Sequence, residues 1–250
     1  MPLVMLKTIA IVVGILTVAG CTSEPDPLYA NPGETGRLDG RVESVQSCGF
    51  CVLDGTRFAL GADERIRIMG EAEVRDAVVS TLPAGVVEVT PDGDAALDPT
   101  TGLTAHNFRL RALAPGDAHI EFRDAGGALI DRFLAKVREP VALQARWTLL
   151  TSFGPLQDTG MVPQLDRPEQ RLVVGFIPTD REGISLAMSN IAVTIQDPAV
   201  ATMTNRITGA PETSTSAGGV VTVIPAAPGQ TALTATTTSG LTTTQALVVR

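Results

Sequence analysis

Two cysteines with two residues between them, Cys48 and Cys51, form the sharpest local motif of this 250-residue chain. Such a pair can exchange thiols and disulfides, supply half of a zinc site, attach haem or form a local disulfide. Haem attachment requires histidine directly after the second cysteine, where Val52 stands. The residues after Cys51 indicate a β-turn region rather than the helix start typical of redox pairs. Zinc would need two more ligands, for which only His106 and His119 are present. We favour a structural disulfide formed outside the cytoplasm, and redox chemistry and zinc stay open.

The remaining polar residues give no recognisable catalytic motif. Asp92, Asp94 and Asp98 could offer oxygens to calcium, but their spacing does not match an EF-hand loop, and solvated carboxylates are the more usual state. His119 is predicted to point outward between two acidic residues. The sequence contains no G-x-S-x-G, no H-E-x-x-H and no glycine-rich phosphate loop. We therefore expect no catalytic residue, no metal and no cofactor.

Four arginines fall at outward positions of two predicted strands: Arg65, Arg67, Arg109 and Arg111. If these strands are neighbours, one face of the sheet carries a guanidinium patch that could bind phosphate or carboxylate groups of envelope glycans. The alternative is a solvated face whose charge is balanced by Asp63, Glu64 and Glu121. We favour the balanced face and keep the anionic-ligand patch as a hypothesis.

The start of the chain reads as an export signal. Residues 8–19 form a largely apolar run that is too short for a membrane span of ~20 residues. The run ends in Leu-Thr-Val-Ala-Gly-Cys at residues 16–21, which resembles the lipobox of bacterial lipoproteins. The resemblance implies a signal peptide over residues 1–20 and acylation of Cys21, with palmitate among the acyl groups. Thr22 replaces the aspartate that would favour inner-membrane retention, so the resemblance implies the outer membrane.

Charge limits the choice of partners. The formal net charge is −8 at pH 7, and removing Lys7 with the signal peptide leaves −8 − 1 = −9. Nucleic acids select a basic surface, so we do not expect one as a partner. We expect contact with the membrane through the lipid anchor and with an unidentified envelope protein or glycan.

The elements that must position these residues are short strands. Residues 21–40 are rich in proline, glycine and charge, and are predicted to be a lipidated, flexible linker. Beyond them, alternating polar and apolar residues are separated by turn residues, which is typical of a β-sandwich. The segment 71–80 could form a short helix, but we interpret it as a strand. Trp147 shares the parity of Leu143 and Ala145, which predicts a core position rather than a sugar-stacking one.

An internal repeat indicates two domains. Residues 114–122, which begin Ala-Pro-Gly, recur at residues 227–235 with an offset of 113. Upstream, residues 86–90 align with residues 200–204 at an offset of 114, so one gap suffices. Proline fixes φ and glycine admits positive φ, which suits a turn leading into a strand.

These repeated residues, and Asp-Pro-Ala-Val-Ala-Thr at 197–202 above all, resemble bacterial immunoglobulin-like domains of the invasin and intimin type. The resemblance implies an all-β chain of two tandem immunoglobulin-like β-sandwiches, over residues 41–139 and 140–250. It implies spacing or adhesion and transfers no catalytic residue. We therefore expect a non-enzymatic, membrane-anchored envelope lipoprotein that acts as a binding, adhesion or structural module. The alternative is a thiol-redox or other catalytic lipoprotein that uses Cys48 and Cys51.

Overall fold

A computed structural model describes residues 31–42, 56–149, 162–166, 170–205, 211–212, 214–215 and 219–250. Within these ranges the chain forms strands and one short 3₁₀ helix, Ala72–Asp76. The first ten strands are β1 (Asn31–Pro32), β2 (Asp39–Val42), β3 (Arg57–Ala59), β4 (Asp63–Gly70), β5 (Val78–Leu82), β6 (Val87–Pro91), β7 (Ala96–Leu97), β8 (Thr104–Ala112), β9 (Gly116–Arg123) and β10 (Leu129–Arg138). The next ten are β11 (Ala142–Leu149), β12 (Gln164–Leu165), β13 (Leu172–Thr179), β14 (Ile191–Ile195), β15 (Ala201–Asn205), β16 (Pro211–Glu212), β17 (Ser214–Thr215), β18 (Val220–Pro225), β19 (Gly229–Thr237) and β20 (Thr242–Val249).

The first ten strands form two facing sheets. One sheet has the order β1-β2-β4-β8-β6, with β7 also pairing with β8, and the other has the order β3-β10-β9-β5. Alternate residues of each strand point between the sheets, where Phe108 packs edge-on against Phe122 with 5.3 Å between ring centroids. Phe122 in turn packs edge-on against Phe133 at 5.7 Å. Burial of these rings supplies much of the hydrophobic stabilisation of this half.

The last ten strands repeat this arrangement. The order is β11-β13-β18-β15-β16 in one sheet and β12-β20-β19-β14-β17 in the other. Trp147 is 4% exposed in this core, as its parity predicts. Both halves therefore have the two-sheet order of an immunoglobulin-like sandwich, and the predicted all-β fold with two sandwiches is confirmed.

The repeated Ala-Pro-Gly segment forms the same turn in both sandwiches. The amide of Ala114 donates to the carbonyl oxygen of Val86 at 3.2 Å, and the amide of Ala227 donates to that of Val200 at 3.1 Å. The two pairs are related by the same offsets as the sequence repeat. In the first sandwich the turn before β9 is hydrogen-bonded to the residue that precedes β6. In the second, the turn before β19 is hydrogen-bonded to the residue that precedes β15.

Two local predictions were wrong. The linker does not extend to residue 40, because β1 and β2 lie within it and Leu38 is 2% exposed. Leu38 is apolar and buried, and the alternating residues after it form β2, although the segment is rich in proline and glycine. The segment 71–80 is not a single strand, because the 3₁₀ helix Ala72–Asp76 precedes β5.

The two sandwiches are joined by more than the chain between β10 and β11. The amide of Ala59 donates to the carbonyl of Ala187 at 3.0 Å, and the amide of Ala187 donates to the carbonyl of Arg57 at 2.9 Å. Ser189 Oγ donates to the Asp63 carbonyl at 2.7 Å, and Asn190 Nδ2 donates to another carbonyl of the same loop. Buried apolar residues of both halves consequently form one connected cluster. We propose a domain boundary within residues 139–141.

Candidate functional site

The four predicted arginines lie on one outward face of the first sandwich. Strands β4 and β8 are antiparallel neighbours, and their register sets Arg65 directly opposite Arg109. Arg111 lies opposite Asp63, and Arg67 lies opposite Asn107. The juxtaposition follows from alternation, because the partner positions Ile66 and Phe108 on the same strands point into the core.

Each arginine on this face has a carboxylate partner. Arg109 Nε lies 2.6 Å from Asp63 Oδ1, and Arg67 Nη2 lies 2.6 Å from Asp98 Oδ2. Arg65 Nε lies 3.0 Å from Asp92. The fourth arginine, Arg111, lies 3.6 Å from Glu88 and 3.7 Å from Asp63. Four guanidinium groups thus face four carboxylates, and we call this set the arginine–aspartate ladder.

The acidic residues that balance the ladder differ in part from those predicted. Asp63 is one of them, as expected. Glu64 is fully buried on the inward side of β4, because its parity is that of Ile66. Glu121 pairs with Arg123 at 2.8 Å on the other sheet. Glu88 on β6, and Asp92 and Asp98 in the connection from β6 to β8, take their places. Alternation alone does not locate the residues of that connection.

The ladder also determines protonation. Hydrogen bonding to Asp63, followed by the charge of that carboxylate, raises the pKa of Arg109 above its ordinary value. The amide of Thr100 is the main influence that lowers the pKa of Asp98, with the charge of Arg67 a smaller one. Both shifts favour the charged forms of Arg109 and Asp98. An anionic ligand would have to displace carboxylates that already occupy the guanidinium groups.

The candidate metal ligands do not converge. Asp92 and Asp98 are engaged with arginines, and His106 Nε2 lies 3.1 Å from the carbonyl oxygen of Gly93. His119 lies on the opposite sheet, where Nε2 is 3.1 Å from Glu34. No group of three or more His, Cys, Asp or Glu side chains in the described ranges is arranged to hold a metal ion.

A buried carboxylate that sequence reasoning missed fixes the start of the first sandwich. Asp131 on β10 is fully buried and accepts hydrogen bonds from the amides of Thr35, Arg37 and Leu38 at 2.8, 2.9 and 3.0 Å. A side chain at Gly33 would overlap this carboxylate, so the loop closes around it. An acidic residue at a core-facing position of an apolar strand was the available signal.

A groove on one side of the first sandwich was also missed. It lies between the edge strands β5 and β6 and has a volume of about 300 Å³. Its lining includes Val79, Thr81, Val89 and Leu113, and the side chain of Leu113 is 52% exposed. The absence of charged residues from β5 was the signal that could have indicated it.

Cys21, Cys48 and Cys51 lie outside the described residues, so acylation and the disulfide stay predictions. Within the ranges that the structure covers, no helix is long and apolar enough to cross a membrane.

Comparisons with known proteins give fold-level likenesses. No protein-family model matches the chain, and no curated protein matches it significantly. A family 2 glycosyl hydrolase from Bacteroides cellulosilyticus shares 12% identity over 76% of this chain and 23% of its own, with a TM-score of 0.30. The C-terminal 282-residue fragment of intimin, solved with the intimin-binding domain of its translocated receptor, shares 11% identity over 77% and 61%, with a TM-score of 0.30. The Escherichia coli adhesin FdeC shares 13% over 78% and 60%, also at 0.30.

The chain spans less than two thirds of the length of each of these structures. At such identities and TM-scores the likenesses carry no argument about function, and the fold assignment rests on the sheet order described above.

Proposed function

We propose that this protein is a non-enzymatic, lipid-anchored module of the bacterial envelope, which presents binding surfaces on two joined sandwiches. The proposal rests on the set of hydrogen bonds that connects residues 57–63 of the first sandwich with residues 187–190 of the second, which we call the joint. Backbone hydrogen bonds between Ala59, Ala187 and Arg57 hold the second sandwich to the first, which suits a protein that must keep a surface at a defined place. The lipid anchor on Cys21 would attach the first sandwich to the membrane, and the outer membrane is the proposed location.

The chemistry of the surface supports binding rather than turnover. Acidic and basic groups of the ladder neutralise one another, and aromatic rings of the first half pack in the core. As part of the same proposal, an anionic glycan would bind the arginines of the ladder only by displacing the carboxylates that now pair with them. An envelope protein is the partner that the exposed strand edges favour.

Metabolic labelling with a palmitate analogue tests the anchor. In a Gram-negative host that expresses the whole chain, we expect label on the protein and its recovery with membranes, because acyl chains contribute about 0.8 kcal/mol per buried methylene. Cys21→Ser is expected to abolish both. Cys48→Ser is the matched control and is expected to retain both.

Label that persists in Cys21→Ser, or wild-type protein that is unlabelled and recovered outside the membrane fraction, would contradict the anchor. Cross-linking of the lipidated protein in native envelopes then tests the binding role. A specific partner absent from a Cys21→Ser sample supports it, and cross-links no different from those of an unrelated lipoprotein contradict it.

A further inference from the structure

Among the residues that the structure describes, the groove between β5 and β6 has a strand edge without a pairing partner on each side. In the sheet order, β5 ends one sheet of the first sandwich and β6 ends the other. Within the described ranges, strand β5 pairs only with β9, through positions such as Val79 opposite Phe122. Strand β6 pairs there only with β8, where Val89 lies opposite Leu110. No described strand pairs with the outer side of β5 or β6.

The second sandwich has strands at the corresponding edges. There β14 takes the place of β5 and β15 takes the place of β6, and both have an additional partner. The short strand β17 pairs with β14, with Thr215 opposite Val193. The short strand β16 pairs with β15, with Glu212 opposite Met203. Residues 211–212 and 214–215 thus supply backbone partners to one sheet each.

The repeat shows that these are the same positions. Val79 pairs with Phe122, and Val193 pairs with Ala235, which is Phe122 shifted by the repeat offset of 113. Val89 and Met203 are likewise related by the upstream offset of 114. Val193 and Met203 are fully buried, whereas Val79 and Val89 are only partly buried. In the second sandwich, residues 214–215 and 211–212 pair at these two positions, and no described residue of the first sandwich pairs at the corresponding ones.

The connection that could have closed the groove runs elsewhere. Residues 92–103 join β6 to β8, as residues 206–219 join β15 to β18. In the first sandwich this connection forms β7, which pairs with β8, and Asp98 of the same connection accepts a hydrogen bond from Arg67. The arginine–aspartate ladder thereby keeps the connection on the outward face of the sheet.

Edge strands of natural proteins normally carry lysine, proline or a bulge that prevents pairing with another chain. Strand β5, Val-Val-Ser-Thr-Leu, has none of these within its span, and Val78 and Leu82 are 58% and 62% exposed. Such an edge accepts an additional strand through backbone hydrogen bonds, and the groove then selects short side chains at alternate positions.

We propose that this groove binds an extended segment of a partner protein, rich in Ser, Thr and other small residues, which adds a strand to the β5 edge. The segment would pair beside Val79 and Val89, as Thr215 pairs with Val193 and Glu212 pairs with Met203 in the second sandwich. The inference rests on the proposed binding function and names its site and the chemistry of its partner.

A fluorescent peptide with the sequence of residues 209–217 is the probe, because it contains residues 211–212 and 214–215, which pair with β15 and β14 in the second sandwich. We expect saturable binding to the full chain, and at least a tenfold loss of affinity for Thr81→Lys, whose charged side chain would occupy the groove. Thr244→Lys on the outward face of β20 is the matched control and is expected to bind as wild type does. A peptide with Thr213→Pro and Thr215→Pro, which lacks two backbone donors, is expected to bind at least tenfold more weakly.

Hydrogen–deuterium exchange gives a second measurement that needs no variant. Bound peptide is expected to slow exchange of amides in residues 78–82 relative to residues 242–249. If Thr81→Lys fails to fold, Val89→Lys on the opposite edge replaces it. Absence of binding, equal binding by the proline peptide, or protection outside the groove would overturn the proposal. Dimerisation of the chain through β5 would also overturn it, since the occupant would then be a second copy.

The outcome is separable from that of the proposed function. Loss of palmitate labelling leaves the peptide experiment intact, because the groove is tested on purified protein. A groove that binds no peptide leaves the anchor and the joint unaffected.

Discussion

At the scale of single residues, Asp131 shows how one side chain determines where a domain begins. Its carboxylate accepts hydrogen bonds from the amides of Thr35, Arg37 and Leu38, and so holds this loop against β10. Glu34 in the same loop forms an ion pair with Arg132 at 2.6 Å, and its other carboxylate oxygen lies 3.1 Å from His119 Nε2. The loop is consequently part of the sandwich rather than of a linker.

We expect Asp131→Ala to lower the free energy of unfolding by about 3 kcal/mol, because several hydrogen bonds to a charged acceptor are lost and the buried amide of Leu38 loses its partner. Urea unfolding monitored by circular dichroism measures this change. Asp124→Ala, in an exposed turn, is the matched control and is expected to cost under about 1 kcal/mol. Equal stability of the two variants would contradict the role of Asp131.

The same residue predicts a pH dependence. Burial acts to raise the pKa of Asp131, but hydrogen bonds from the amides of Thr35, Leu38 and Arg132 outweigh burial, so the pKa is lowered. The unfolded chain then binds the proton more readily than the folded chain, and stability rises with pH. The contribution is complete above the unfolded value of about 3.9 and is lost as pH falls through the folded pKa. Asp131→Asn is expected to flatten this part of the pH–stability curve.

The position of a side chain could be predicted from the sequence where the alternation of inward and outward residues along a strand determines it. Trp147 was placed in the core by alternation alone, and Arg65 and Arg109 were correctly placed on one outward face. Asp131 was missed because its partners are backbone amides of a distant loop. Glu64 was assigned to the surface because of its charge, although its parity matches that of buried Ile66.

At the scale of strands, the longer elements were predictable and the short ones were not. Strands β4, β8 and β9 are eight or nine residues long, and polar and apolar residues alternate along much of each strand. The core-facing side of each strand can therefore be predicted from the sequence. Two-residue strands such as β7 and β16 have too few residues for any period. Tertiary contacts decide where they pair, and this is why the open groove of the first sandwich could not be predicted.

The ladder between β4 and β8 gives a prediction at this scale. Asp63→Ala removes the carboxylate shared by Arg109 and Arg111, so the face gains net positive charge. We expect stronger, salt-sensitive retention on an immobilised sulfated glycan, with a stability loss below about 1 kcal/mol because the ion pairs are exposed. Asp117→Ala, which frees Arg138 on the opposite sheet, is the control and is expected to change retention less.

The reciprocal variant tests whether the ladder binds anions in the wild-type protein. The double variant Arg65→Glu, Arg109→Glu should abolish any salt-sensitive retention that the wild-type chain shows. Retention unchanged by this variant would remove the anionic-ligand patch, and retention unchanged by Asp63→Ala would show that the arginines are not accessible.

At the scale of the molecule, the repeat predicted two sandwiches but not the contact between them. The joint uses the loop after β3 and the segment between β13 and β14, which the repeat does not relate. Asp63 contributes to both structures, because its side chain belongs to the ladder and its backbone bonds to the second sandwich. The surface of the first sandwich is therefore linked directly to the position of the second.

The double variant Ser189→Ala, Asn190→Ala tests whether the joint makes the two sandwiches one unit. It removes the hydrogen bonds to the Asp63 carbonyl and the Gly61 carbonyl and the one donated by the Asp63 amide, while the backbone pairing of Ala59 with Ala187 remains. At about 1 kcal/mol each, their loss is expected to weaken coupling by about 2–3 kcal/mol. Calorimetry should then resolve two unfolding transitions where wild type shows one, and small-angle scattering should show a wider range of interdomain distances. Ser80→Ala with Thr244→Ala, away from the joint, should leave both measurements unchanged. A single transition at the wild-type temperature in the joint variant would mean that the apolar contacts around Ala187 suffice to hold the sandwiches together.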